Sequence, residues 1–275
     1  MKSFLLAVTL LGLAAAGPAE DIWLKANSFR PRGYVPRAPS SGFVVGGLDA
    51  DIADYPHQLS LRLDNNHMCG ASVISSNWAL SAAHCTFAFP DVHGGTLLSL
   101  KGGSSNRFEG GIVFTVDRVV DHPGWELETL RFDITCIHTV ENMIQSIIQP
   151  IALDPIGATH AHGSRAVLSG WGRNDVTNNV LPTILQRLDK PIFGQAECIA
   201  HWSNFLTITD DMICAGGEFG RSACNSDSGG PLVTGGRQIG VVSFGEVECA
   251  GVGPAGYARI AYPPIRNWIT EVTGV

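Results

Sequence analysis

From residue 44 onward the chain is a succession of short apolar runs set apart by turn residues. Residues 57–63 (HQLSLRL), 71–74 (ASVI), 112–116 (IVFTV), 166–169 (AVLS) and 238–242 (QIGVV) are the clearest, and clusters of Gly, Asn, Asp or Pro separate them. Many short strands with this punctuation predict an all-β barrel or sandwich, not βαβ units. A helical period appears once, at the end. Pro263 and Pro264 precede Ile265, Trp268, Ile269 and Val272, which share one face of a helix. No solenoid period and no heptad run occurs.

The first 43 residues break this pattern. Lys2 is followed by an apolar run over residues 4–16, with small residues at Ala14 and Ala16. Thirteen residues are too few to span a bilayer, so residues 1–16 read as a secretory signal peptide. Export permits disulfides. Residues 17–43 hold four of the fifteen prolines (Pro18, Pro31, Pro36, Pro39) and three Arg without periodicity, which predicts an exposed leader. No later run is long and apolar enough to cross a membrane, and no Asn-x-Ser/Thr acceptor occurs.

Composition narrows the function. The 275 residues suffice for one large all-β domain or two ordinary ones. Eighteen basic against 25 acidic residues give a formal charge of −7. With no basic excess to neutralise phosphates, neither a nucleic acid nor an anionic membrane is an expected partner. Seven Cys is an odd number.

Four segments carry candidate chemistry. They are Ser81-Ala82-Ala83-His84-Cys85, Arg131-Phe132-Asp133-Ile134-Thr135, Ser169-Gly170-Trp171-Gly172 and Cys224-Asn225-Ser226-Asp227-Ser228-Gly229-Gly230-Pro231. Each alone is ordinary. Together, in the order His, Asp, Ser, they resemble the trypsin/chymotrypsin family of serine endopeptidases, with insect digestive chymotrypsin-like enzymes the nearest match. The similarity runs from Val44 to the C-terminus, about 85% of the chain. It implies two packed antiparallel β-barrels, approximately residues 44–152 and 153–275, with a C-terminal helix.

The resemblance also assigns roles. A serine hydroxyl is a weak nucleophile, so Ser228 needs an adjacent base. His84 would take its proton, and Asp133 would accept the other imidazole N–H. The backbone N–H groups of Ser226 and Ser228 would hold the oxyanion. Ser226 departs from the family pattern, which has Gly there, and puts a side chain where glycine's freedom is normally used. Ser222 matches the floor of the primary pocket, Ser243, Phe244 and Gly245 its mouth, and Ala255 its far wall. An uncharged open pocket implies Phe, Tyr, Leu or Met before the cut bond. Ala255 trims its depth, which keeps elastase-like or mixed specificity as an alternative. A catalytically impaired homologue acting as a binding or regulatory module is the other alternative.

Val44-Val45-Gly46-Gly47 matches the family's new N-terminus, whose α-amino group would pair with Asp227 after removal of a 17–43 propeptide. The residue before the cut is Phe43, not the usual Arg or Lys, which points to a chymotrypsin-like activator. The resemblance pairs Cys69 with Cys85, Cys198 with Cys214 and Cys224 with Cys249. Each bridge closes a loop worth roughly 3 kcal/mol. Cys136 is left over as a buried thiol. His160 and His162 read as loop histidines, and no metal site or cofactor is expected. The implied partners are protein or peptide substrates, protein inhibitors and an activating protease, and the enzyme would be a monomer.

After residue 43 only Lys101 and Lys190 remain, against eleven Arg, and the formal charge of the 232 residues becomes −10. Arg keeps its charge at pH values where Lys begins to lose it. That bias fits secretion into an alkaline insect gut lumen and a digestive role.

Overall fold

A computed structural model describes residues 47–87, 98–173, 180–218, 222–246 and 253–275. The expectations for the signal peptide, the propeptide, Phe43, Val44 and Cys249 therefore lie outside the described residues.

Fourteen strands are present among the described residues: β1 (Leu48–Asp49), β2 (Gln58–Leu63), β3 (Asn66–Val73), β4 (Trp78–Ser81), β5 (Leu98–Gly102), β6 (Ile112–Asp121), β7 (Thr135–Thr139), β8 (Ala152–Leu153), β9 (Arg165–Gly170), β10 (Gln186–Phe193), β11 (Met212–Gly216), β12 (Pro231–Thr234), β13 (Arg237–Phe244) and β14 (Pro254–Arg259). Strands β2-β3-β4-β7-β6-β5 close into one antiparallel barrel. A second ring runs β10-β11-β14-β13-β12-β9, and the β9–β10 pairing closes it. The expectation of two antiparallel barrels holds, and every strongly patterned run became a strand.

The first described strand and the C-terminal helix each pack on the opposite half. β1 pairs with β10 of the second barrel. The C-terminal helix α2 (Pro263–Thr273) buries Ile265, Trp268 and Ile269 in the core of the first barrel. Full burial of such side chains contributes about 1.5–3 kcal/mol each. α2 begins at the expected proline pair and stops at Gly274, whose φ of 76° lets its N–H reach the Thr270 carbonyl. Helix α1 (Gln195–Trp202) had no sequence signal: it is eight residues long and lacks a side-chain cap.

The two barrels are joined by buried polar pairs. Ser72 Oγ donates to Gln238 Oε1 at 2.7 Å, and Ser169 Oγ donates to Gln58 Oε1 at 2.6 Å. Burial separates the two lysines from the arginines. Lys101 is 5% and Lys190 1% exposed, whereas every described arginine reaches solvent at least in part. Lys101 Nζ clamps the carbonyls of Asn106, Arg107 and Glu109. Lys190 points into the second barrel at an inward position of β10.

Candidate active site

His84 sits on a single 3₁₀ turn, Ala83–Cys85, directly after β4. The Cys69–Cys85 disulfide ties that turn to β3. Asp133 stands just before β7 and is buried. One carboxylate oxygen accepts the His84 backbone N–H at 2.9 Å, and the other lies 2.7 Å from His84 Nδ1. An ionised carboxylate only accepts, so Nδ1 carries the proton and Nε2 keeps its lone pair. Ser243 Oγ donates a further hydrogen bond to Asp133.

Ser228 lies in the loop between β11 and β12 and is 4% exposed. Its carbonyl accepts the N–H of Gly70 on β3 at 2.7 Å. A Cβ at Gly70 would fall 2.7 Å from the Gly230 Cα, so the barrels touch here backbone to backbone. Gly70 follows Cys69, the bridge partner of the residue next to His84. Two covalent and hydrogen-bonded steps thus bring the His84 turn and the Ser228 loop to one seam. Ser228 Oγ and His84 are not hydrogen-bonded, a looseness common before substrate closes the site.

Within the same loop the Asp227 N–H turns inward to the Cys224 carbonyl at 3.0 Å. The flanking N–H groups of Ser226 and Ser228 have no acceptor among the described residues. Ser226 holds φ at 71°, the left-handed region in which glycine is favoured. Its side chain is therefore accommodated with backbone strain. His67 Nε2 lies 3.1 Å from the Ser226 carbonyl, and His67 Nδ1 lies 2.7 Å from Ser60 Oγ. A carbonyl only accepts, so His67 donates from Nε2 and accepts from Ser60. Burial lowers its pKa to about 4, which keeps it neutral.

The Asp227 carboxylate is 1% exposed and accepts the N–H groups of Gly172 at 2.8 Å and Cys224 at 3.0 Å. Gly172 and Gly170 pass so close to it that neither position could carry a side chain. Burial raises the Asp227 pKa to about 6, opposed by those amides and by the charge of Lys190. Lys190 Nζ lies 3.2 Å from the position a Cβ would take on Gly216, the cross-strand neighbour of Pro254 on β14.

The residues expected to line the substrate pocket are all interior. Ser222, Ser243, Phe244, Gly245 and Ala255 are buried, and Ala255 lies on β14 opposite Ala215 of β11. Phe244 meets Trp202 edge to face at 5.3 Å and shares a cluster with Leu130. Cys198–Cys214 is bonded as the resemblance implied. Cys224 is disulfide-bonded too, although its expected partner is outside the described residues. Cys136 is unbonded and buried, and burial pushes its thiol pKa up. Of the two loop histidines, His160 is partly buried with Nε2 2.8 Å from Asp154 Oδ2, and His162 is exposed and accepts the Gly194 N–H at Nδ1. Among the described residues the one His/Cys/carboxylate group compact enough for a metal is Cys69, His84 and Cys85. Two of those three are consumed by a disulfide.

Fold and site together define a two-barrel serine protease. The family model for Trypsin matches residues 44–269, and the chain belongs to that family. Relatives include Trypsin 5G1 of Aedes aegypti, 35% identical over 86% of this chain and 87% of the relative. Trypsin alpha-4 of Lucilia cuprina is 36% identical over 88% and 91%, and Trypsin delta of Drosophila melanogaster 34% over 87% and 91%. The protein is thus a trypsin-family serine protease, a hydrolase of protein substrates.

Proposed function

We propose that the chain is a secreted precursor that becomes a chymotrypsin-like endopeptidase once cut between Phe43 and Val44. Residues 1–16 are the signal peptide, 17–43 the propeptide and 44–275 the protease. Ser228 Oγ attacks the scissile carbonyl carbon as His84 Nε2 takes its proton. The carbonyl π pair moves onto oxygen, where the Ser226 and Ser228 N–H groups receive it. The proton then passes from Nε2 to the departing amine as the C–N bond breaks, and water repeats the sequence on the acyl-enzyme. Asp133 stays ionised throughout and stabilises the imidazolium. The two-point hold of Asp133 on His84, at ring and backbone, carries this reading.

The choice of substrate rests on Ser222. A carboxylate at that position would select Arg or Lys, and a neutral hydroxyl does not. The names of the relatives favour a second reading, cleavage after basic residues. The small, uncharged residues Ser222 and Ala255 favour Phe, Tyr, Leu or Met. Activation follows from Asp227, whose buried carboxylate offers an ionic partner to a freed Val44 α-amino group. Insect relatives and the arginine-dominated surface support a digestive enzyme in the gut lumen, working as a monomer.

A panel of peptides varied before the cut bond, run on protein starting at Val44, tests the pocket. The expected result is fastest cleavage after large apolar residues. Preference for Arg or Lys would overturn the specificity and leave the triad intact. N-terminal sequencing of the active form should give Val44, and any other start would overturn the activation step.

A further inference from the structure

The turn that delivers Asp133 is built against its own backbone preferences. Leu130 holds φ at 55° and Phe132 at 52°, a region that bulky L-residues avoid. Something must hold Phe132 there. Its N–H donates to Asp211 Oδ2 at 2.9 Å, across 79 residues of sequence. Asp211 is 1% exposed and stands at the head of β11, in the other barrel. Its own carbonyl accepts the Arg259 N–H at 2.8 Å, which fixes it to the end of β14. Arg131 Nε lies 3.6 Å from the second Asp211 oxygen. On the opposite side the Phe132 ring lies flat on His122, with centroids 4.4 Å apart and planes 5° off parallel. His122 is held by Trp268 of α2, edge to face at 4.8 Å, and accepts the Gly124 N–H at Nδ1. Phe132 is thus gripped from barrel two and from the C-terminal helix, and the residue after it is Asp133.

We propose that Asp211 is a positioning residue: by accepting the Phe132 N–H it holds that residue left-handed and so sets where the Asp133 carboxylate meets His84. The proposal rests on the triad reading above. It makes alignment within the first barrel depend on a carboxylate of the second.

The test uses the active enzyme with Asp211→Ala, Asp211→Asn and Asp211→Ala combined with Phe132→Gly. Misplacing a catalytic group by about 1 Å costs on the order of 100-fold. Asp211→Ala should therefore lower kcat about 10- to 100-fold while KM changes less than about twofold. Asp211→Asn keeps an acceptor oxygen and should recover most of that loss. Glycine at 132 adopts positive φ without help, so the double variant should exceed Asp211→Ala in kcat by about tenfold or more. A loss confined to thermal stability, an Asn variant as slow as Ala, or no recovery in the double variant would each overturn the proposal. If Asp211→Ala does not fold, Asp211→Ser, whose shorter side chain withdraws the acceptor, carries the same expectation. Failure of the triad reading would look different, because Ser228→Ala would then leave activity in place.

Discussion

The two barrels serve the site in different currencies. The first supplies side chains: His84 and Asp133 stand on tight turns at the ends of strands, beside a large apolar cluster. The second supplies backbone: the Ser226 and Ser228 N–H groups sit in a loop with no strand of its own, beneath which Asp227, Lys190 and the Tyr257 hydroxyl are buried. A side chain on a stapled turn needs only packing to hold its direction. A row of amides holds its direction only while the charge under it is balanced. The proposed activation step therefore acts on the second barrel.

The most severe break removes the chemistry at either end. Ser228→Ala should lower kcat about 10⁶-fold. Asp133→Asn should lower it about 10⁴-fold through the wrong His84 tautomer, with KM little changed in initial-rate assays. Loss of the charge under the loop should be milder. Asp227→Asn in the mature enzyme should cost about 10²- to 10³-fold in kcat, the scale of a lost oxyanion donor.

The uncut chain sharpens the same point through pH. The Asp227 pKa lies near 6 when folded, above its ordinary value of 3.8. Its contribution to stability is therefore complete below about pH 4 and lost as pH rises through about 6. His57 and His67, each lowered to about 4 by burial, act oppositely: their contribution is present above pH 6.5 and lost as pH falls towards 4. Comparing precursors that differ only by Asp227→Asn cancels the histidines. In urea unfolding the Asn form should gain about 3 kcal/mol relative to the parent between pH 4 and 7. The proposed pairing of the α-amino group with the carboxylate requires that gain to vanish in chains starting at Val44.

The smallest effect concerns Ser226. Left-handed φ costs a non-glycine residue about 1–2 kcal/mol, and added unfolded-state entropy returns about 0.4–1 kcal/mol of that to glycine's debit. Ser226→Gly should accordingly raise the melting temperature by about 1–4 °C in calorimetry.

The first barrel was also the more legible from sequence. Residues 58–63 alternate and became β2, the apolar run 112–116 became the start of β6, and the His84 and Asp133 segments fell directly after β4 and just before β7. In the second barrel β10 was missed, because its inward positions include Gln186 and Lys190 and so break the apolar period. His67 and Asp211 were missed for another reason. Their partners, Ser226 and Phe132, lie 159 and 79 residues away, and no local pattern encodes such pairs. The scarcity of lysine was visible, but the burial of both remaining lysines was not: among the described residues the solvent-facing cations are arginines.

Labelling with a fluorophosphonate, mapped by peptide mass spectrometry, tests the central claim most directly. Protein starting at Val44 should take one phosphonyl group per chain at Ser228, and the uncut precursor should react far more slowly. Equal labelling of both forms would contradict control through the second barrel. No labelling, or labelling at a residue other than Ser228, would contradict the site itself.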